Sequence, residues 1–154
     1  MTIQQAEAGT VAVGDELPTM EVGDIDVEHI LQLALILRDA NPIHYDLDAI
    51  AAAGLGEVEV NQGGATAAYI LNLLSAWSGS RSNIRRLRCR FSANVFAGDD
   101  VLVGGTVTAI EESSDGQLVT CDVWAAVHGG DRAITGTATV LLPADGGMRV
   151  GGRS

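Results

Sequence analysis

The sequence predicts an α+β domain in which a curved antiparallel sheet wraps around one long, apolar, central helix. Three observations carry that expectation. Residues 65–77, ATAAYILNLLSAW, make roughly four helical turns. Their only polar side chains are Thr66, Tyr69, Asn72 and Ser75, so most of the circumference is apolar and the helix belongs inside protein, not on a surface. Everything after this segment reads as strands separated by short turns. No helical pattern intervenes between those strands, which excludes a βαβ arrangement.

The remaining elements come in chain order. Residues 1–18 are small and polar, end in VGDELP, and read as a loose arm leading into a first strand near Thr19–Val22. From Asp26 the pattern turns helical. Asp26 suits an N-cap, Glu28 adds first-turn negative charge, and VEHILQLALIL is apolar on nearly every face. That run stops at RDANP, because the residue before a proline is pushed out of the helical region. A short second helix spans Leu47–Ala53, with Asp46 and Asp48 at its start and Gly54 at its end. Gly63 and Gly64 open the central helix.

In IRRLRCRFSANV, the residues Leu87, Cys89, Phe91, Ala93 and Val95 alternate with Arg86, Arg88, Arg90, Ser92 and Asn94, the period of a half-exposed strand. DVLVGGTVTAIEE, QLVTCDVWAAVHG and DRAITGTATVLLP then form an antiparallel meander with turns at SSDG and GGD. This is the single hot-dog arrangement, placed at residues 19–143, with a glycine-rich, disordered tail over 144–154.

Composition narrows the function. At 154 residues the chain is one domain with a real core. Hydrophobic residues are 47% and aromatics 4%, so Val, Leu, Ile and Ala build that core. The net charge is −11 and every positive side chain is arginine. This argues against nucleic acid or an anionic membrane as a general partner. Cys89 and Cys121 lack metal spacing and read as buried free thiols in a reducing cytoplasm. The opening MTIQQAEAGT has no basic-then-apolar leader and the apolar runs are too short to span a bilayer. A soluble cytoplasmic protein is the expectation.

The chemistry concentrates in RDANPIHYD. Asp39 and His44 lie five residues apart around the Asn41-Pro42 break, so both side chains can face one pocket. A carboxylate and an imidazole sharing one water can activate it and protonate a carbon. The plain alternative is that Asp39 caps a turn and His44 is a loop histidine. Downstream, Gly63-Gly64 at a helix start would let a carbonyl approach backbone N–H groups, or would serve only a tight turn. A calcium loop is excluded by Ile43 and His44 at the fifth and sixth positions from Asp39. One histidine with scattered carboxylates is poor zinc spacing. His29 and His128 show no acidic companions.

RDANPIHYDLDAIAAAG resembles the signature of MaoC-like (R)-specific enoyl-CoA hydratases, a pattern of Gly-Asp-x-Asn-Pro-Ile/Leu-His followed by a short alanine-rich helix. NQGGATAAYILNLL is similar to the opening of that family's central helix, usually His-Gly-Met. With the VGDELP arm and the four closing strands, the resemblance covers roughly residues 11–143. It implies that Asp39 and His44 are the catalytic pair, that Asn41 orients their loop, and that Gly63 is the oxyanion glycine. It further implies water addition to a trans-2-enoyl-CoA without cofactor or metal. Arg38 stands where the family has glycine and Gln62 where it has histidine, departures that bear on loop geometry and the acyl pocket.

Arg81, Arg85, Arg86, Arg88 and Arg90 fall within ten residues. Arg85 and Arg86 are candidate CoA contacts; the others read as a strand's outer face, paired with carboxylates. Hot-dog thioesterases usually place a carboxylate on the central helix, and residues 65–77 contain none. The chain also resembles small subunits of two-chain hydratases from bacterial steroid side-chain degradation. An uncovered sheet edge points to a homodimer or higher oligomer, or to a heteromer with another hot-dog chain, in which a mainly structural role is the remaining alternative.

Overall fold

In the computed structural model, which describes residues 3–144, the apolar segment is a sixteen-residue helix and the strands close around it. The elements in order are β1 (Met20–Val22), α1 (Val27–Leu37), α2 (Leu47–Ala52), α3 (Gly63–Ser78), β2 (Ile84–Phe91), β3 (Val101–Ser113), β4 (Gly116–Val127) and β5 (Arg132–Pro143). Single 3-10 turns lie at Pro42–His44 and Arg81–Asn83. All five strands form one antiparallel sheet in the order β1-β3-β4-β5-β2. The predicted meander is present. The strand before it crosses to the far side and pairs with β5, Arg86 opposite Thr139 through Phe91 opposite Ile134.

α3 packs against β2, β3, β4 and β5. Ile70, Leu73, Leu74 and Trp77 meet Val101, Val103 and Val107 of β3, alternate residues of β4 from Val119 to Ala125, and Ala138, Val140 and Leu142 of β5. Branched aliphatic side chains fit a pleated, half-buried surface, which is why a chain so poor in aromatics builds its core from them.

Two expectations change. The N-terminal arm is not loose: its Ala6 N–H donates to the Trp77 carbonyl at 2.7 Å, and the Gly14 and Leu17 N–H groups donate to Val107 and Gly105 carbonyls at 2.8 Å each. Leu17 is buried in the core. The arm thus closes one end of α3 and runs beside β3. The strand expected to reach Val95 ends at Phe91, whose ring is exposed. The expected tail over 144–154 lies outside the described residues apart from Ala144. Among the described residues no helix is long and apolar enough to cross a membrane.

Cys121 is fully buried and Cys89 half-buried, and both thiols are free. Burial raises both thiol pKa values, and with Asp122 beside it Cys121 is pushed up to about 12. Since the thiolate is the reactive form, a thiol-reactive dye should titrate only Cys89, slowly, in the native protein and both thiols in denaturant. Rapid reaction of two thiols without denaturant would contradict this packing.

Candidate active site

α1 begins where Asp26 accepts the Glu28 N–H at 2.8 Å, as its N-cap role requires. It ends well before Pro42, earlier than the proline alone dictates. Arg38 takes left-handed backbone angles (φ 52°, ψ 39°), and its own N–H and that of Asp39 close back on the carbonyls of Leu35 and Ala34. Left-handed geometry at this position suits glycine. Arg38 thus holds a backbone that favours glycine, at the position where the sequence resemblance leads one to expect a glycine.

Beyond Arg38 the chain reverses, and Asp39 organises the turn. Its Oδ1 accepts the Asn41 N–H at 3.1 Å, and Asn41 Oδ1 accepts the Ile43 N–H at 3.4 Å. The Tyr45 hydroxyl donates to the Ala40 carbonyl at 2.9 Å. Asp46 then caps α2 by accepting from Asp48 and Ala49 N–H groups. Through this turn His44 comes back toward Asp39, with Nε2 at 3.3 Å from Asp39 Oδ2. The His44 side chain is 7% exposed and that of Asp39 36%.

His44 Nδ1 lies 2.6 Å from the Val60 carbonyl oxygen. A carbonyl only accepts, so Nδ1 carries the hydrogen and Nε2 is left to face Asp39. Val60 N–H returns a bond to the Ile43 carbonyl at 3.1 Å. Three residues after Val60 comes Gly63, the first residue of α3, within about 11 Å along the chain. The helix's N-cap, Gln62, makes no side-chain capping bond. Among the described residues the Gly63 and Gly64 N–H groups meet no acceptor, and both glycines are exposed. An uncapped helix start of this kind offers donors and a favourable dipole to a carbonyl oxygen acquiring charge. A side chain at Gly63 would press on the Phe91 ring at 3.1 Å, whereas Gly64 faces open space.

Gln62 is buried and its Nε2 donates to the Ile30 carbonyl at 2.9 Å, bolting α1 to the start of α3; its Oε1 has no partner among the described residues. It does not line the groove beside Asp39. That groove, about 570 Å³, is lined by Leu31, Ala34, Leu35, Arg38, Asp39, Ala40 and Tyr45, an apolar trough with one carboxylate. Behind α3's first turn, Asn61 Nδ2 donates to Thr66 Oγ1 at 3.0 Å and approaches the Tyr69 hydroxyl at 3.5 Å. Burial raises the Tyr69 pKa, partly offset by Asn61.

Arg85 and Arg86 are not gathered with this pair. They begin β2, beside the end of α3, while Phe91 at the other end of β2 lies next to Gly63. The separation is about 20 Å along the strand. Their placement as CoA contacts therefore has no support within one chain. Among the described residues no arginine pairs with a carboxylate, so the outer-face pairing expected for Arg86, Arg88 and Arg90 is absent. His128 does have acidic companions, which sequence reasoning missed: its ring nitrogen and the Glu21 and Asp100 carboxylates lie within 4.8 Å of one another, all exposed. These residues are far apart in sequence and meet only through the sheet. His29 is exposed on α1.

The MaoC like domain matches residues 8–127 of this chain. The beta subunit of 3-oxo-4,17-pregnadiene-20-carboxyl-CoA hydratase from Mycobacterium tuberculosis (strain ATCC 25618 / H37Rv) is 32% identical over 133 residues, covering 84% of this chain and 94% of that protein. An (R)-hydratase from A. caviae involved in PHA biosynthesis is 25% identical, with a TM-score of 0.74 over 88% of this chain and 100% of that one. A chain of the ChsH1-ChsH2 complex from Mycobacterium tuberculosis shares the fold, with a TM-score of 0.72 at 24% identity over 86% of this chain and 99% of that one.

Replacing Arg38 by glycine should relieve the left-handed backbone and stabilise the protein by about 1 kcal/mol, read as a rise in Tm of about 3 °C. Gln62→Ala should cost about 1 kcal/mol by removing the side-chain bond that ties α3's start to the Ile30 carbonyl of α1. Thermal melts followed by circular dichroism check both.

Proposed function

The chain belongs to the MaoC-like domain family, and from that premise we propose that it hydrates trans-2-enoyl-CoA thioesters to (R)-3-hydroxyacyl-CoA, or runs the reverse dehydration. The observation that carries this is the Asp39–His44 pair, 3.3 Å apart, with His44 held by Val60 three residues before an uncapped helix start. In the hydration direction Asp39 takes a proton from water as its oxygen attacks C3. The electron pair of the C2=C3 bond moves toward the thioester carbonyl, whose oxygen gains charge beside the Gly63 and Gly64 N–H groups. Nε2 of a protonated His44 then delivers a proton to C2 on the same face, so addition is syn. Asp39 has gained one proton and His44 lost one, and a transfer across their short separation resets both. Water addition moves no electrons to an external acceptor, so the chemistry calls for no redox cofactor and no metal.

Asn41 holds the loop that presents the pair, and the apolar groove beside Asp39 receives the acyl group. The CoA moiety is part of the substrate. The two free thiols are compatible with a reducing cytoplasm as the place of reaction. A thioesterase reading is weakened because α3 carries no carboxylate. The relatives that are hydratase subunits, or form a complex of two chains, support an assembly with a second hot-dog chain.

The test is loss of the conjugated double bond, followed by absorbance, over enoyl-CoA esters from four-carbon to steroid. Asp39→Asn and His44→Gln should each lower kcat/KM by at least about 100-fold, with circular dichroism unchanged. Full activity in both variants would falsify the assignment. Release of free CoA thiol in place of double-bond loss would move the activity to the thioesterase class. Inactivity of the lone protein, with rescue by a second hot-dog chain, would mark a supporting subunit.

A further inference from the structure

β2 is an edge strand. It pairs with β5 on one side, so over eight residues its other side offers backbone N–H and C=O groups with no strand beside them among the described residues. Leu87 and Cys89 are half-buried toward the core, while Arg86, Arg88 and Arg90 stand exposed on the outer face. Arg81 and Arg85 are exposed at its start. In a chain of net charge −11, none of these five arginines lies within 4.0 Å of a carboxylate among the described residues. The other edge, β1, is three residues long and carries Glu21 close to Asp100.

We propose that the β2 edge takes the edge strand of a different hot-dog chain whose outward-facing residues are Asp and Glu, and that it rejects a second copy of itself. The proposal rests on the hydratase reading for the hot-dog nature of the partner; the charge of that partner is set by β2.

Residues directly opposite in an antiparallel pair face the same side of the sheet. Extending the sheet with both central helices on one side therefore sets outer positions opposite outer positions. A two-fold copy centred on Arg88 puts Arg86 opposite Arg90 twice and Arg88 opposite itself. Centred on Leu87, it puts Arg86 opposite Arg88 twice. Centred on Cys89, it puts Arg88 opposite Arg90 twice. Every register with useful overlap thus stacks like charges, which destabilises pairing. An acidic strand in any of them meets arginines that have no partner of their own. β1 of a second copy, though acidic, is too short to match eight residues.

The probe is the same chain with Arg86→Glu, Arg88→Glu and Arg90→Glu, standing in for an acidic edge. Wild type alone and the triple variant alone should each run as 15.9 kDa monomers by light scattering at micromolar concentration. Mixed, they should form a 1:1 dimer that dissociates in about 1 M salt, where the screening length falls to about 3 Å. A wild-type dimer, or a mixture of two folded chains that stays monomeric, overturns the proposal. Should the triple variant fail to fold, Arg86→Glu alone answers: its new carboxylates meet Arg90 twice in the Arg88-centred register, so it should self-associate where wild type does not, and no gain overturns the proposal. Mass is the readout, so neither result depends on catalysis, and an inactive enzyme leaves this proposal standing.

Discussion

The hydrogen bond from His44 Nδ1 to the Val60 carbonyl, 2.6 Å long, is the constraint on which the site depends. Connecting loops are ordinarily the mobile parts of a domain, and the acid/base candidates sit on one. Here the loop is strapped from both directions, since the Val60 N–H also donates to the Ile43 carbonyl. Val60 is itself bridged to Phe96, and the next N–H, of Asn61, reaches the Val95 carbonyl at 2.8 Å. The imidazole is thereby referred to the segment that leads straight into α3. The same bond satisfies a buried N–H that would otherwise cost about 1–3 kcal/mol, so orientation and stability come from one contact.

Asp39 reaches its partner because α1 stops abruptly at a left-handed residue. That stop has a consequence for the surface. Leu35, Ile36 and Leu37 in the last turn are 80%, 73% and 56% exposed, an unfavourable arrangement in water at about 25 cal/mol per Å² of apolar area. The groove they adjoin has Asp39 as its single carboxylate. A charged group bordered by apolar wall is a setting in which an acyl chain and a reacting water can lie side by side. The aliphatic excess of α1, which as a bare helix looks like a solubility defect, belongs with that groove.

Much of this was legible from local pattern. The buried helix announced itself through thirteen residues without a charge, the strands through their period of two, and the Asp39–His44 pair through a proline break that shortens the path between them. What was not legible is nonlocal or conformational. β2 pairs with β5 across the sheet, and nothing in either strand names the other. Arg38 hides a left-handed turn because arginine gives no sign of one. Gln62 reads as a pocket residue from its neighbours but is a bolt to a carbonyl on another helix. Phe91 follows the inward alternation of its strand, yet the strand ends there and the ring turns onto Gly63. His128, Glu21 and Asp100 converge only once the sheet is assembled.

The edge and the site share a residue. Phe91 terminates the strand whose outer side lacks a neighbour, and its ring lies close enough to Gly63 that an added side chain there would press on it. A strand laid along β2 would therefore run past the ring that borders the exposed, uncapped start of α3. Arginines that choose the neighbour act at one end of β2 and along its outer face, while the catalytic geometry lies at the other end. Placing charge selection away from the candidate acid/base pair lets the chain discriminate among partners without adding positive charge near Asp39 beyond that of the neighbouring Arg38, charge that would weaken the carboxylate as a base.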